Sequence, residues 1–192
     1  MNLLPFITDG CIITTNFDDA IEQVFKKKNI AFDGYMHGTQ QHNFFSRLVR
    51  GQRCLMKLHG DADDQSSYIL AQSQYNEAYG KPFNFKLPLP KALRQLYISN
   101  SLLFLGCSLE NDMTLSLFHH VKQENDYEIP EHYAILPEPD SITVKKEKES
   151  RLLALNIQPI WYPDNKHEFV ESLLLLAIDM AENRISTSEL GA

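Results

Sequence analysis

Three short polar clusters hold most of the chemistry available to this sequence. Thr14-Thr15-Asn16-Phe17-Asp18-Asp19 follows the apolar run Cys11-Ile12-Ile13. His59-Gly60-Asp61 follows Leu55-Met56-Lys57-Leu58, and Gly106-Cys107-Ser108 follows Leu102-Leu103-Phe104-Leu105. An amide and carboxylates orient a polar substrate, and an imidazole titrates in the range where a general base is useful. A short apolar run that stops on such residues reads as a buried strand ending in a site, because open α/β sheets bind ligands beyond the carboxyl ends of their strands. Three such endings point to one convergent pocket. Each cluster also has a plainer reading on its own. Asn16, Asp18 and Asp19 suit the cap of a following helix, His59 suits a turn with a satisfied ring, and Gly106-Cys107-Ser108 suits an ordinary strand-to-helix turn.

The elements that must position these groups alternate strand and helix. The pattern predicts a strand over residues 10–15 and a helix over 18–28 with Ala20, Ile21, Val24 and Phe25 on one face. A less regular stretch over 33–53 reads as a loop with a short helix, partly buried through Phe44 and Phe45. A strand over 54–58, an acidic turn and a short strand near 67–70 come next, then a helix through Tyr79 with Ser73 as its N-cap. Pro90 opens a helix to about residue 99. The remainder reads as strand 101–106, helix 112–122, strand 132–136, helix 142–155, strand 157–162 and helix 166–182. This is an α/β class, a mostly parallel Rossmann-like sheet of about five strands flanked by helices. A single domain is expected over residues 1–184, with a frayed, flexible tail over 185–192.

Composition narrows the function. The 192 residues are 43% hydrophobic and 22% charged with a net charge of −7, so no basic face is on hand to meet nucleic-acid phosphates. The basic run Lys145-Lys146-Glu147-Lys148 reads as a solvated helix face. The three cysteines, Cys11, Cys54 and Cys107, form no CxxC pair and fall in or beside predicted core strands, where a free thiol acts as a small hydrophobe. A reducing, cytoplasmic setting fits this usage. The opening residues lack a basic signal-peptide start, and the apolar run over 173–178 is far shorter than the roughly 20 residues of a membrane span. No metal is expected. His119 and His120 are neighbours on a helix and point about 100° apart, and the acidic turn at Asp61, Asp63 and Asp64 lacks the spacing of a calcium loop.

Taken together and in order, the phrases Ile12-Ile13-Thr14-Thr15-Asn16-Phe17-Asp18, Lys57-Leu58-His59-Gly60-Asp61 and Gly106-Cys107-Ser108 resemble the sirtuin superfamily. In deacylase sirtuins the matching elements are a TQN-I-D segment, an LHG segment and a G-[TS]-S segment. The wider phrases resemble more closely the sirtuin-like NAD hydrolases of bacterial antiphage defence, and the resemblance runs over nearly the whole chain. Deacylases carry a four-cysteine zinc module between the second and third motifs, whereas no cysteine lies between Gly60 and Gly106 here. The resemblance therefore implies a non-deacylase: an NAD hydrolase that forms ADP-ribose and nicotinamide with water and no metal, NAD being the substrate.

By the same resemblance Asn16 and His59 are catalytic. Asn16 would bond a ribose hydroxyl or the attacking water, and His59 would act as general base. Thr15 and Asp18 would line the nicotinamide pocket, and Gly106, Cys107 and Ser108 would lie against the adenosine side. The family also opens with a Gly-rich turn that cradles the pyrophosphate, and none of the eight glycines here forms GxG. The first βα unit is thus expected to be missing, and a second copy or a partner protein or domain to cover the gap. The alternative is a non-catalytic, truncated module that binds a nucleotide or a partner.

Overall fold

The computed structural model describes residues 2–110, 112–124 and 126–184. Its backbone divides into two compact units, one ending at Ala92 and the other beginning at Leu93. Each pairs parallel strands with helices, the α/β class expected from the alternation.

The first unit runs α1 (Leu4–Ile7), β1 (Cys11–Thr14), α2 (Ala20–Lys26), β2 (Gly34–His37), β3 (Gln40–His42), α3 (Phe44–Leu48), β4 (Cys54–Lys57) and α4 (Gln72–Tyr79), and it includes the start of α5 (Pro88–Ser99). Its sheet has the order β1-β4-β2-β3, with β4 parallel to both β1 and β2, and β3 antiparallel to β2. The central place of β4 explains its sequence: a strand flanked on both sides and covered on both faces reads as a continuous apolar run, and all four of its residues are buried. The exception to that run is Lys57, a lysine only 1% exposed. Phe25 of α2 packs with Phe32 and Leu55, joined by Ile12, Ile21, Val24, Ile30 and Tyr35. Each fully buried aromatic or leucine side chain here contributes about 1.5–3 kcal/mol relative to exposure.

The second unit takes the rest of α5, then β5 (Leu103–Leu105), α6 (Met113–Glu124), β6 (His132–Pro137), α7 (Ile142–Leu153), β7 (Ile157–Tyr162) and α8 (Glu168–Ala181). Its sheet is the parallel set β5-β6-β7. The Tyr97 and Phe118 rings stack at 4.1 Å between centroids, and Leu117, Val121, Ala134, Leu136, Leu152 and Ile157 are buried around the sheet. No described helix is long and apolar enough to cross a membrane.

Several local expectations are corrected. The described strands form two sheets of four and three rather than one of about five. In the stretch over 33–53 the expected short helix forms as α3 with Phe44 buried, but the rest is the β2–β3 hairpin rather than a loop. Burial along β2 alternates from residue to residue, a period-2 signal hidden by its polar side chains. No strand forms near residues 67–70. A 3₁₀ turn, Gln65–Ser67, stands there instead, because the Asp64 side chain accepts the Ser66 N–H and bends the chain. Ser73 does not cap α4. The helix begins two residues earlier, with Ala71 at its N-cap, and Gln74 reaches back to accept the N–H groups of Leu70 and Ala71 at 2.9 and 2.8 Å. Pro88, not Pro90, opens α5. The expected tail over 185–192 lies outside the described residues.

Candidate functional site

Parallel pairing of β1 with β4 matches Cys11 to Cys54 and Thr14 to Lys57. The offset between partners is the same one that separates Asn16 from His59, so the two residues leave adjacent strands at the same height. The Leu58 N–H continues the ladder to the Thr14 carbonyl at 2.9 Å. Asn16 is exposed, with its N–H bonded to Thr14 Oγ1 at 3.1 Å, and Thr15 beside it is exposed as well. Between Asn16 and Asp18, Phe17 turns its ring to within 6.1 Å of the His59 ring, centroid to centroid. The structure therefore brings the first and second motifs together on one side of the sheet, at the carboxyl ends of β1 and β4.

His59 is half-buried, with Phe17 on one side and Tyr75 on the other. Its Nε2 lies 3.0 Å from Tyr75 Oη. Gly60 follows with φ +109°, and a side chain there would strike the Ser67 carbonyl and hydroxyl at 2.7 Å. Glycine is thus required for the turn to close on Ser67, whose Oγ accepts the Asp61 N–H at 2.8 Å. Asp18 has a capping duty: its Oδ1 accepts the Ala20 N–H at the start of α2, at 3.1 Å. Asp19 holds Gln23 through both carboxylate oxygens.

Below these loops lies a cluster that sequence reasoning did not single out. The Lys57 ammonium bonds Glu22 Oε1 and Asp61 Oδ2, each at 2.7 Å, and the Phe17 carbonyl at 3.4 Å. His37 Nδ1 stands 3.8 Å from Asp61 Oδ2. Burial alone would lower the lysine, but hydrogen bonds to Asp61 and Glu22 outweigh it and hold the ammonium above its ordinary value. Burial would raise the Asp61 carboxyl, and the Lys57 bond and the Asp63 N–H reverse this and hold it below the usual carboxylate range. The His37 ring is kept below the ordinary histidine value chiefly by burial, against the pull of Asp61. One sequence signal was available: a lysine inside a buried parallel strand must find counter-charges. Tyr75 carried no such signal, because only the fold brings α4 to the histidine.

The third motif lies in the second unit, at the end of β5. Gly106 has φ +65° with open space where a side chain would stand. Cys107 is half-buried and burial pushes its thiol up, which disfavours the thiolate. Ser108 is exposed. Leu109 then turns with φ +51°, its carbonyl accepting from Arg151 at 2.9 Å. Asp112 starts α6 by accepting the Thr114 N–H at 2.7 Å.

Among the described residues, no group of three or more His, Cys, Asp or Glu side chains is placed to hold a metal ion. The Asp61 carboxylate is engaged with Lys57, and the Asp64 carboxylate accepts from Ser66.

Mostly parallel strands flanked by helices, with polar clusters at strand carboxyl ends, make this a Rossmann-like α/β fold. The SIR2-like domain family matches residues 10–160, and the chain belongs to that family. No curated protein matches it.

Proposed function

We propose that this chain hydrolyses NAD to ADP-ribose and nicotinamide, as an effector of bacterial antiviral defence. The observation that carries the reading is the common height of Asn16 and His59 at the ends of two paired strands, in a chain of the SIR2-like family. The likeness of the TTNFD and KLHGD phrases to the defence branch supports the biological setting.

Cleavage of the nicotinamide–ribose bond builds positive charge on the ribose, as in glycoside cleavage. Nicotinamide leaves as a neutral molecule, and water adds to the carbon it vacates. Asn16 orients a ribose hydroxyl or that water, and His59 accepts the proton. The hydrogen bond between His59 Nε2 and Tyr75 Oη fixes the orientation of the imidazole beside the bond to be cleaved. Thr15 and Asp18 line the nicotinamide side, Asp18 being fixed by its cap to α2. Gly106, Cys107 and Ser108 serve the adenosine side through close backbone approach and the serine hydroxyl.

The test is chromatographic detection of nicotinamide from NAD, with no acylated peptide present. His59→Ala and Asn16→Ala should each lower turnover about 10²–10⁴-fold. Equal turnover by wild type and His59→Ala would refute the assignment. A second reading, a nucleotide-binding or interaction module without turnover, is favoured by one feature, the absence of any GxG among the glycines. NAD binding with no nicotinamide release would select it.

A further inference from the structure

An ammonium group has three N–H donors and no acceptor. Lys57 is 1% exposed, and its three donors meet three acceptors from three separate segments. Glu22 belongs to the first turn of α2, Asp61 follows the His59-Gly60 turn, and the Phe17 carbonyl lies in the loop between Asn16 and Asp18. The same Phe17 carbonyl also accepts the Ala62 N–H at 2.9 Å. The two loops that bear the candidate catalytic groups are therefore tied at one carbonyl oxygen, from below by a buried cation and from the side by a backbone amide.

We propose that Lys57, held by Glu22 and Asp61, is a positioning residue that clamps the Asn16 loop to the His59 turn and fixes the two groups against each other. This rests on the NAD-cleaving reading above. Stability alone is a poor reason for such a cluster. Burying one cation and two carboxylates carries a desolvation cost that their attraction only offsets, and apolar or neutral residues of similar size often serve stability as well. Lys57 supplies something a methionine of similar length lacks, a directed bond to the loop carbonyl beside Asn16. Through Phe17 the same clamp sets the ring that lies against His59.

The test separates stability from positioning with the triple variant Glu22→Gln/Lys57→Met/Asp61→Asn, which removes all three charges at nearly constant shape. Expected results are a melting temperature within a few degrees of wild type and amide exchange over residues 58–66 faster by at least about tenfold. The kcat for nicotinamide release should fall about 10–100-fold with KM changed less than about twofold, the mark of an interaction that matters in the transition state. In a His59→Ala background the triple change should cost clearly less than in wild type, because one of the two groups that the clamp positions is already gone; an equal loss in both backgrounds overturns the proposal. Wild-type kcat in the triple variant, or a loss carried by KM alone, overturns the proposal. Should the triple variant not fold, Asp61→Asn keeps an acceptor for Lys57 with less charge and should lower kcat about threefold, again without a KM change; no change overturns the clamp. If wild type itself releases no nicotinamide, the NAD-cleaving reading fails and exchange alone judges the clamp. Faster exchange over 58–66 then upholds it, and unchanged exchange refutes it.

Discussion

Among the described residues each unit fully buries one basic side chain, and the two do so in opposite ways. In the first unit Lys57, the last residue of β4, stays charged inside the sheet because two carboxylates and a loop carbonyl reach it. In the second unit His132, the first residue of β6, is fully buried and stays neutral. Its Nδ1 accepts the Leu102 N–H at 3.2 Å and its ring lies 4.8 Å from that of Tyr97. Burial, helped by the Lys122 charge, pushes its pKa down to about 4. A cation is tolerable where loops beyond the carboxyl ends of strands can bring counter-charges, and those loops are also the ones that hold candidate site groups. At the amino end of a strand packed against aromatic rings, the base has one amide for company and loses its proton.

Removing the lysine should break this contrast most severely. Lys57→Met alone leaves Glu22 and Asp61 facing each other without their cation, and the loss should be about 3 kcal/mol, at the low end for a broken buried pair because both carboxylates keep some solvent. Urea unfolding at neutral pH measures it. A midpoint equal to wild type would mean that Lys57 is not needed to balance the carboxylates.

The histidine sharpens the comparison through pH. Its folded pKa lies below the unfolded value of 6.5, so the unfolded chain binds the extra proton. Stability from this group is complete above about pH 6.5 and is lost as pH falls from there to about 4. The full loss is on the order of 3 kcal/mol. His132→Gln offers an amide oxygen to the Leu102 N–H and does not titrate, so its unfolding midpoint should fall less than that of wild type between those pH values. Parallel curves for the two proteins would show that His132 titrates normally. Lys57 and Asp61 should not share this window, since Lys57 is raised and Asp61 lowered from their ordinary values, whereas His37 beside them is lowered and adds to the loss in both proteins alike.

The smallest effect is expected at Tyr97, whose hydroxyl bonds the Leu155 carbonyl at 2.9 Å inside the second unit. Tyr97→Phe keeps the stacked ring and removes one buried hydrogen bond, which should cost about 1 kcal/mol. A larger loss by thermal denaturation would show that the hydroxyl, rather than the Tyr97–Phe118 stack, organises that core.

Much of the layout was written in local pattern. Residues 54–57 had to be a buried strand because four residues free of turn formers, three of them apolar, sit between polar turns, and helices α2 and α8 carry the apolar stripes that a sheet demands. Asn16, His59 and Gly106 could be marked from sequence because each closes such a strand. What local pattern missed was polar or non-local. Strand β2 carries Tyr35 and His37 on one face, and reads as a loop until β4 pairs with it. The turn at Gln65–Ser67 hangs on one aspartate side chain.

The sequence by itself determined the α/β alternation, the three polar endings and the membership in the SIR2-like family, since periodicity and short motifs are local properties of the chain. Only the tertiary structure decided that strands separated by more than 40 residues pair so that Asn16 and His59 leave the sheet together. It also decided that Tyr75 meets His59, and that Lys57 finds Glu22 across 35 residues and Phe17 across 40. Those contacts depend on register and on the desolvation of a single ammonium, and neither quantity exists until the sheet has formed.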